Sequence, residues 1–326
     1  MLRRTISIGI LVVLELAVLA VFGLVGGAPK GHVVEALARA VGIAAAIGGM
    51  AFFLVDGVDI VRVWRMLRVE LMKLFAHPFF YTSLFIVLLA TALAALAASS
   101  GTGGFRRPQA MEMFATGAKW GLKLSAYVLV IFGGMLFAGE FDKGTIKVLL
   151  TRPLTRTDLF AAKCAAGLLL GGVLVATVLA LAWSVGCWVG EIGPAWDSET
   201  YYASFSEADL NGHLWIALKL ALISAVAPCF LGLFISNLME SSGYAVAAAL
   251  ILFISADTAT TFVGSWAPYW PAYYSSYAFE TLRSFAQGSS MAWKDHRGLP
   301  WQVPLAMMAS CTAAGYVIFR WRNITV

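Results

Sequence analysis

The chain is poor in charge and lacks the short motifs that carry catalysis. Asp, Glu, Lys and Arg together make up 13% of its residues, too few to cover a water-soluble surface. No G-x-x-x-x-G-K-S/T phosphate loop occurs, which excludes ATP hydrolysis by that mechanism on this chain alone. His-Glu-x-x-His is absent, and His32, His77, His213 and His296 are scattered, so metalloprotease chemistry has no constellation. A G-x-S-x-G nucleophile elbow is missing as well. Cys164, Cys187, Cys229 and Cys311 show no C-x-x-C spacing, which supports neither a disulfide framework nor a zinc site. They read as small apolar fillers.

What the chain has instead is long apolar runs. Hydrophobic residues reach 60% and the mean hydropathy is +0.81, the profile of an all-α integral membrane protein. About eight runs are long enough to span a bilayer: Ile6–Val25, Leu37–Val55, Phe79–Ala98, Leu122–Gly139, Ala165–Val189, Trp215–Ile235, Tyr244–Gly264 and Val303–Phe319. The first follows Arg3-Arg4 and is read as a retained span, because its apolar length exceeds that of a signal-peptide core. Glu15 inside it either snorkels to an interface or needs a polar neighbour.

The net charge of +5 comes from clusters at the ends of runs, which are topology signals and not a nucleic-acid surface. With both termini cytoplasmic, Arg62, Arg65, Arg68, Lys73, Lys143, Lys147, Arg152, Arg156, Lys163, Arg320 and Arg322 all fall inside. Arg106, Arg107, Lys119 and Lys123 fall outside and oppose this orientation. The acidic stretch Glu191–His213 is read as a solvated outer loop. The aromatic-rich segment between Ser265 and Gln302 is read as an interfacial anchor, with a short helix from Ala272 to Gln287.

Before the third run, Ile60, Val63, Trp64, Leu67, Leu71, Leu74 and Phe75 recur at three- and four-residue steps, predicting an amphipathic interfacial helix. Asp257 and Thr258 lie within an unusually polar run, next to Ser255, Thr260 and Thr261. An intramembrane carboxylate there faces a translocation path, a subunit interface or the wet outer boundary.

The most distinctive segment is Glu140 to Lys163, EFDKGTIKVLLTRPLTRTDLFAAK. Glu140 closes a span, Gly144-Thr145 allows a sharp turn, and Ile146, Val148, Leu149 and Leu150 give a short helix its apolar side. Pro153 stops that helix, while Thr155 and Asp158 have capping-box spacing for the next.

In its acidic residue, Gly-Thr, Leu pair and Pro-x-x-Arg, this segment resembles the loop between the second and third core spans of type-2 ABC-transporter permeases. The resemblance implies a six-span core over residues 79–326, an elbow helix at 59–78 containing Trp64, Leu67 and Leu71, and a two-span extension at 1–58 that departs from the family pattern. It also implies that Glu140, Gly144, Thr145, Leu149, Leu150, Pro153 and Arg156 couple the spans to separate ATPase subunits. ATP and Mg would then be bound by those partners, with no cofactor on this chain. A second permease chain, identical or related, would complete the path within a bacterial cytoplasmic membrane. The function expected is ATP-driven export of a hydrophobic or amphipathic substrate. A membrane scaffold that recruits an ATPase for assembly or mechanical work is the alternative, and an ATP-independent carrier has no clear inverted repeat in its favour.

Overall fold

The computed structural model describes residues 59–100, 109–145, 155–196, 203–262, 267–268, 270–288 and 299–322. The candidate spans Ile6–Val25 and Leu37–Val55 lie outside them. Among the described residues, six helices are long and apolar enough to cross a membrane.

The amphipathic helix α1 (Ile60–Ala76) forms where the sequence pattern predicts it, and Asp59 caps it by accepting from the Val61 and Arg62 amides. Only His77 separates it from the first described span, α2 (Pro78–Ser100). Pro78 suits this start, since a first-turn amide has no partner inside the helix. The chain then forms α3 (Ala110–Leu136), the short α4 (Ala138–Asp142) and α5 (Arg156–Val189). Two short antiparallel strands follow, β1 (Ala195–Trp196) and β2 (Ala203–Phe205). The remaining helices are α6 (Glu207–Leu238), α7 (Ser242–Ala259), α8 (Tyr274–Ala286) and α9 (Leu299–Trp321).

All six expected spans within the described residues are present, and the core ones run further than their apolar stretches. The run Leu122–Gly139 belongs to a helix that begins at Ala110, and Ala165–Val189 to one that begins at Arg156. The 34 residues of α5 extend roughly 51 Å, against about 30 Å of hydrocarbon. Hydropathy detects only the portion in lipid; the polar turns beyond it are held by neighbouring helices.

Helices α3 and α6 form the centre and are the most buried, with α5 beside them, while α2, α7 and α9 are mostly exposed along their apolar sides. Gly133 on α3 and Gly232 on α6 allow the central crossing. A Cβ on Gly133 would run into the Cys229 carbonyl, and one on Gly232 into the Val130 carbonyl. Small residues drive packing in lipid because close backbone approach, and not expulsion of water, supplies the attraction. The expected short aromatic helix appears as α8, which packs on α3 and α6 through Ala278, Phe279, Leu282 and Phe285.

Candidate functional site

The end of the molecule that carries the 140–163 segment holds a closed ring of four charges. Lys73 Nζ on α1 lies 3.0 Å from Glu70 Oε1 and 2.9 Å from Glu140 Oε1. Lys163 Nζ on α5 lies 3.2 Å from Glu70 Oε2 and 3.1 Å from Glu140 Oε2. Two carboxylates and two ammoniums alternate, so the ring is neutral although Lys163, Glu70 and Glu140 are buried. Burial by itself would raise the Glu70 carboxyl, but the Lys163 and Lys73 ammoniums outweigh it and hold Glu70 below the usual range. Burial would lower Lys73, yet its hydrogen bond to Glu140 and the charge of Glu70 raise it.

The ring sits on a break in the central span. Helix α3 ends at Leu136 and α4 starts at Ala138, and backbone groups freed inside a membrane protein need internal partners. Lys163 Nζ donates to the Leu136 carbonyl at 2.6 Å. Ser236 Oγ on α6 accepts from the Phe137 and Ala138 amides at 2.9 and 2.8 Å. Phe137 itself lies under the Lys163 ammonium, 5.1 Å from ring centroid to Nζ, and packs on Phe160 and Phe319. Charge, break and aromatic cluster therefore form one joint among α1, α3, α4, α5, α6 and α9.

Both ends of the intervening loop are fastened to this joint. On the outgoing side, Gly144 adopts φ 66°, a left-handed turn that favours glycine. Thr145 Oγ1 donates to the Glu140 carbonyl at 3.4 Å, and Asp142 accepts from Ser242 Oγ at the start of α7. On the returning side, Thr155 and Asp158 form the expected capping box. The helix they open runs unbroken into the span α5. Asp158 Oδ1 also accepts from the Asp59 amide at 3.1 Å, so one buried carboxylate serves the start of both α5 and α1. Arg156 Nη1 turns back onto the last span and donates to the Phe319, Arg320 and Arg322 carbonyls. Leu149, Leu150 and Pro153 lie outside the described residues.

Of the residues expected on an interfacial elbow helix, Leu67 is buried, Leu71 is half-buried and Trp64 is exposed. Glu70 is not part of the apolar stripe of α1, yet it points into the core, where Lys163 on another helix balances it. Lys163 was also missed as a site residue. A single lysine between Leu159-Phe160-Ala161-Ala162 and Cys164-Ala165-Ala166-Gly167 was the available signal, since a charge so flanked needs a partner.

Asp257 lies elsewhere. Its Oδ2 accepts from Tyr127 Oη at 2.6 Å and lies 3.0 Å from Lys123 Nζ, both on α3. Lys123 is 17 residues before Glu140, roughly 25 Å along the helix at 1.5 Å per residue, so this cluster lies well away from the ring, toward the other end of α3. Thr258 beside it is exposed. No group of three or more His, Cys, Asp or Glu side chains among the described residues is arranged to hold a metal.

The chain as a whole is similar to known proteins. The uncharacterized protein YhcI of Bacillus subtilis (strain 168) is 26% identical over 153 residues, 45% of this chain and 49% of that protein, so this chain spans about half the length of that relative. The family model described as ABC-2 family transporter protein matches residues 66–256, which include α2 to α6, most of α7 and the charge ring, and stop one residue before Asp257. The match takes in more than half of the chain, and the chain thus belongs to the ABC-2 family, as an integral membrane permease subunit without catalytic chemistry of its own.

Proposed function

We propose that this permease transmits the movement of separate ATPase subunits into its spans through the 140–163 segment, and that the four-charge ring is what makes the transmission stiff. The observation that carries this reading is the fastening of both loop ends. Glu140 and Asp142 tie the outgoing end to α1, α5 and α7, while Asp158 and Arg156 tie the returning end to α1 and α9. A push on the loop is delivered to several helices at once, where an unfastened loop would dissipate it.

In this reading residues 140–163 form the coupling element, α1 is the elbow helix of residues 59–78, and 79–326 is the permease core behind the 1–58 extension. The loop end faces the cytoplasm. Two permease chains, identical or related, enclose the path, and ATP and Mg reside on the partner ATPases. The cargo is hydrophobic or amphipathic and is exported.

The test is to purify the chain with candidate ATPase subunits in lipid and compare Leu149→Asp, Leu150→Asp and Arg156→Gln with wild type. Loss of complex formation or of stimulated ATP hydrolysis is expected, and unchanged assembly and turnover would overturn the coupling role. Assembly with ATP turnover but no cargo movement would favour the scaffold reading.

A further inference from the structure

The outward side of α1 carries a second feature, independent of the ring. Viewed down the helix, Met66, Leu67 and Glu70 face the protein, and Val61, Arg65, Arg68 and Met72 form the opposite stripe. Val61 is 59% exposed, Met72 54% and Trp64, at the edge of the stripe, 65%. Arg62 is engaged by Asp59 and Asp158, and Lys73 by the ring. Arg65 and Arg68 are exposed and have no ionic partner among the described residues.

Neither water nor hydrocarbon suits such a face. Water would leave Val61, Trp64 and Met72 exposed, and hydrocarbon would leave two guanidiniums unsolvated. The headgroup layer suits both, since aliphatic and indole groups reach the acyl boundary while arginine pairs with phosphate. The one-residue link to α2 holds α1 at the depth where that span begins. Two guanidiniums without an ionic partner among the described residues select among lipids: an anionic headgroup leaves its phosphate charge uncompensated, whereas a choline headgroup neutralises its own.

We propose that the outward face of α1 is a binding surface for anionic phospholipid, with Arg65 and Arg68 on headgroup phosphates and Val61, Trp64 and Met72 against the upper acyl chains. The proposal uses the interfacial placement of α1 and does not depend on ATPase coupling.

Trp64 is a built-in probe. The full chain is reconstituted in bilayers of equal phosphatidylglycerol and phosphatidylcholine, with bromines on the acyl chains of one lipid or the other. The Trp64 signal is the difference between wild type and Trp64→Phe. Stronger quenching by the brominated phosphatidylglycerol is expected, with a local enrichment on the order of fivefold per arginine. This preference should shrink at high salt and vanish in Arg65→Gln/Arg68→Gln, a double variant at two exposed positions with no ion pair among the described residues. Equal quenching by both lipids would keep α1 at the interface and overturn the anionic selectivity. Quenching by neither would overturn the interfacial placement too, and would mean that a protein partner covers this face.

Discussion

The charge ring and the Asp257 cluster use the same side-chain chemistry under opposite conditions. The ring is balanced and closed on its inner side: Lys163, Glu70 and Glu140 are buried, each carboxylate meets two ammoniums, and Lys73, its side chain 48% exposed, forms the outer edge. The Asp257 cluster is partly open, its Lys123 side chain 31% exposed and Asp257 15%, and Asp257 meets one ammonium and one phenol. A closed ring cannot lose a member without stranding a charge, so it fixes geometry. An open pair can exchange a partner for water or ligand at small cost, so it suits a surface that changes company during transport.

The largest effect should come from opening the ring. Lys163→Met leaves two buried carboxylates facing Lys73 alone and should destabilise the fold by about 3–5 kcal/mol, measured as unfolding in lipid or detergent. Adding Glu70→Gln restores neutrality and should recover part of that loss. The pH response should also reverse. In wild type, Glu70 is depressed from its ordinary 4.5, so its stabilisation is complete above that value and is lost as pH falls through the depressed one. Lys73, raised from 10.5, contributes below that value and loses its contribution as pH rises through the raised one. In Lys163→Met, burial dominates Glu70, the folded state takes up the extra proton, and stability should rise as pH falls toward 5. A variant that lost stability on acidification as wild type does would show that the ring does not control this end.

A smaller effect should follow from removing the hydroxyl that holds the break. Ser236→Ala leaves the Phe137 and Ala138 amides without their acceptor and should cost about 1–3 kcal/mol, with faster amide exchange confined to α4 and the end of α3. Exchange that spread over the far end instead would mean that the break is not a local joint.

Much of this was legible in the sequence where the signal is local. Six spans followed from apolar runs, the box from Thr155 and Asp158, the turn from Gly144, and α8 from aromatic spacing. The ring was not, because its members come from positions 70, 73, 140 and 163. Each was read alone, and only the apolar flanks of Lys163 pointed to a partner. The exact ends of the core helices were also hidden, since Ala110–Gly121 and Arg156–Cys164 are held by neighbours beyond the apolar runs. Arg156 shows the limit of motif reading: its spacing after Pro153 suggested an outward contact, while its guanidinium caps the carbonyl end of α9. Under the coupling proposal, that cap would route the contribution of Arg156 through α9.

The smallest change in stability, and the sharpest test of the contrast, belongs to Asp257→Asn. Asparagine keeps an acceptor for Tyr127 and loses only the attraction to a part-exposed lysine, worth about 0–1 kcal/mol in wet surroundings. Folding should therefore be nearly unchanged, unlike Lys163→Met. If the open cluster exchanges partners during the transport cycle, cargo movement should fall in Asp257→Asn while ATPase assembly persists. Full transport with unaltered stability would make Asp257 a wet boundary residue, and a loss of stability as large as that of Lys163→Met would show that the two clusters do the same work.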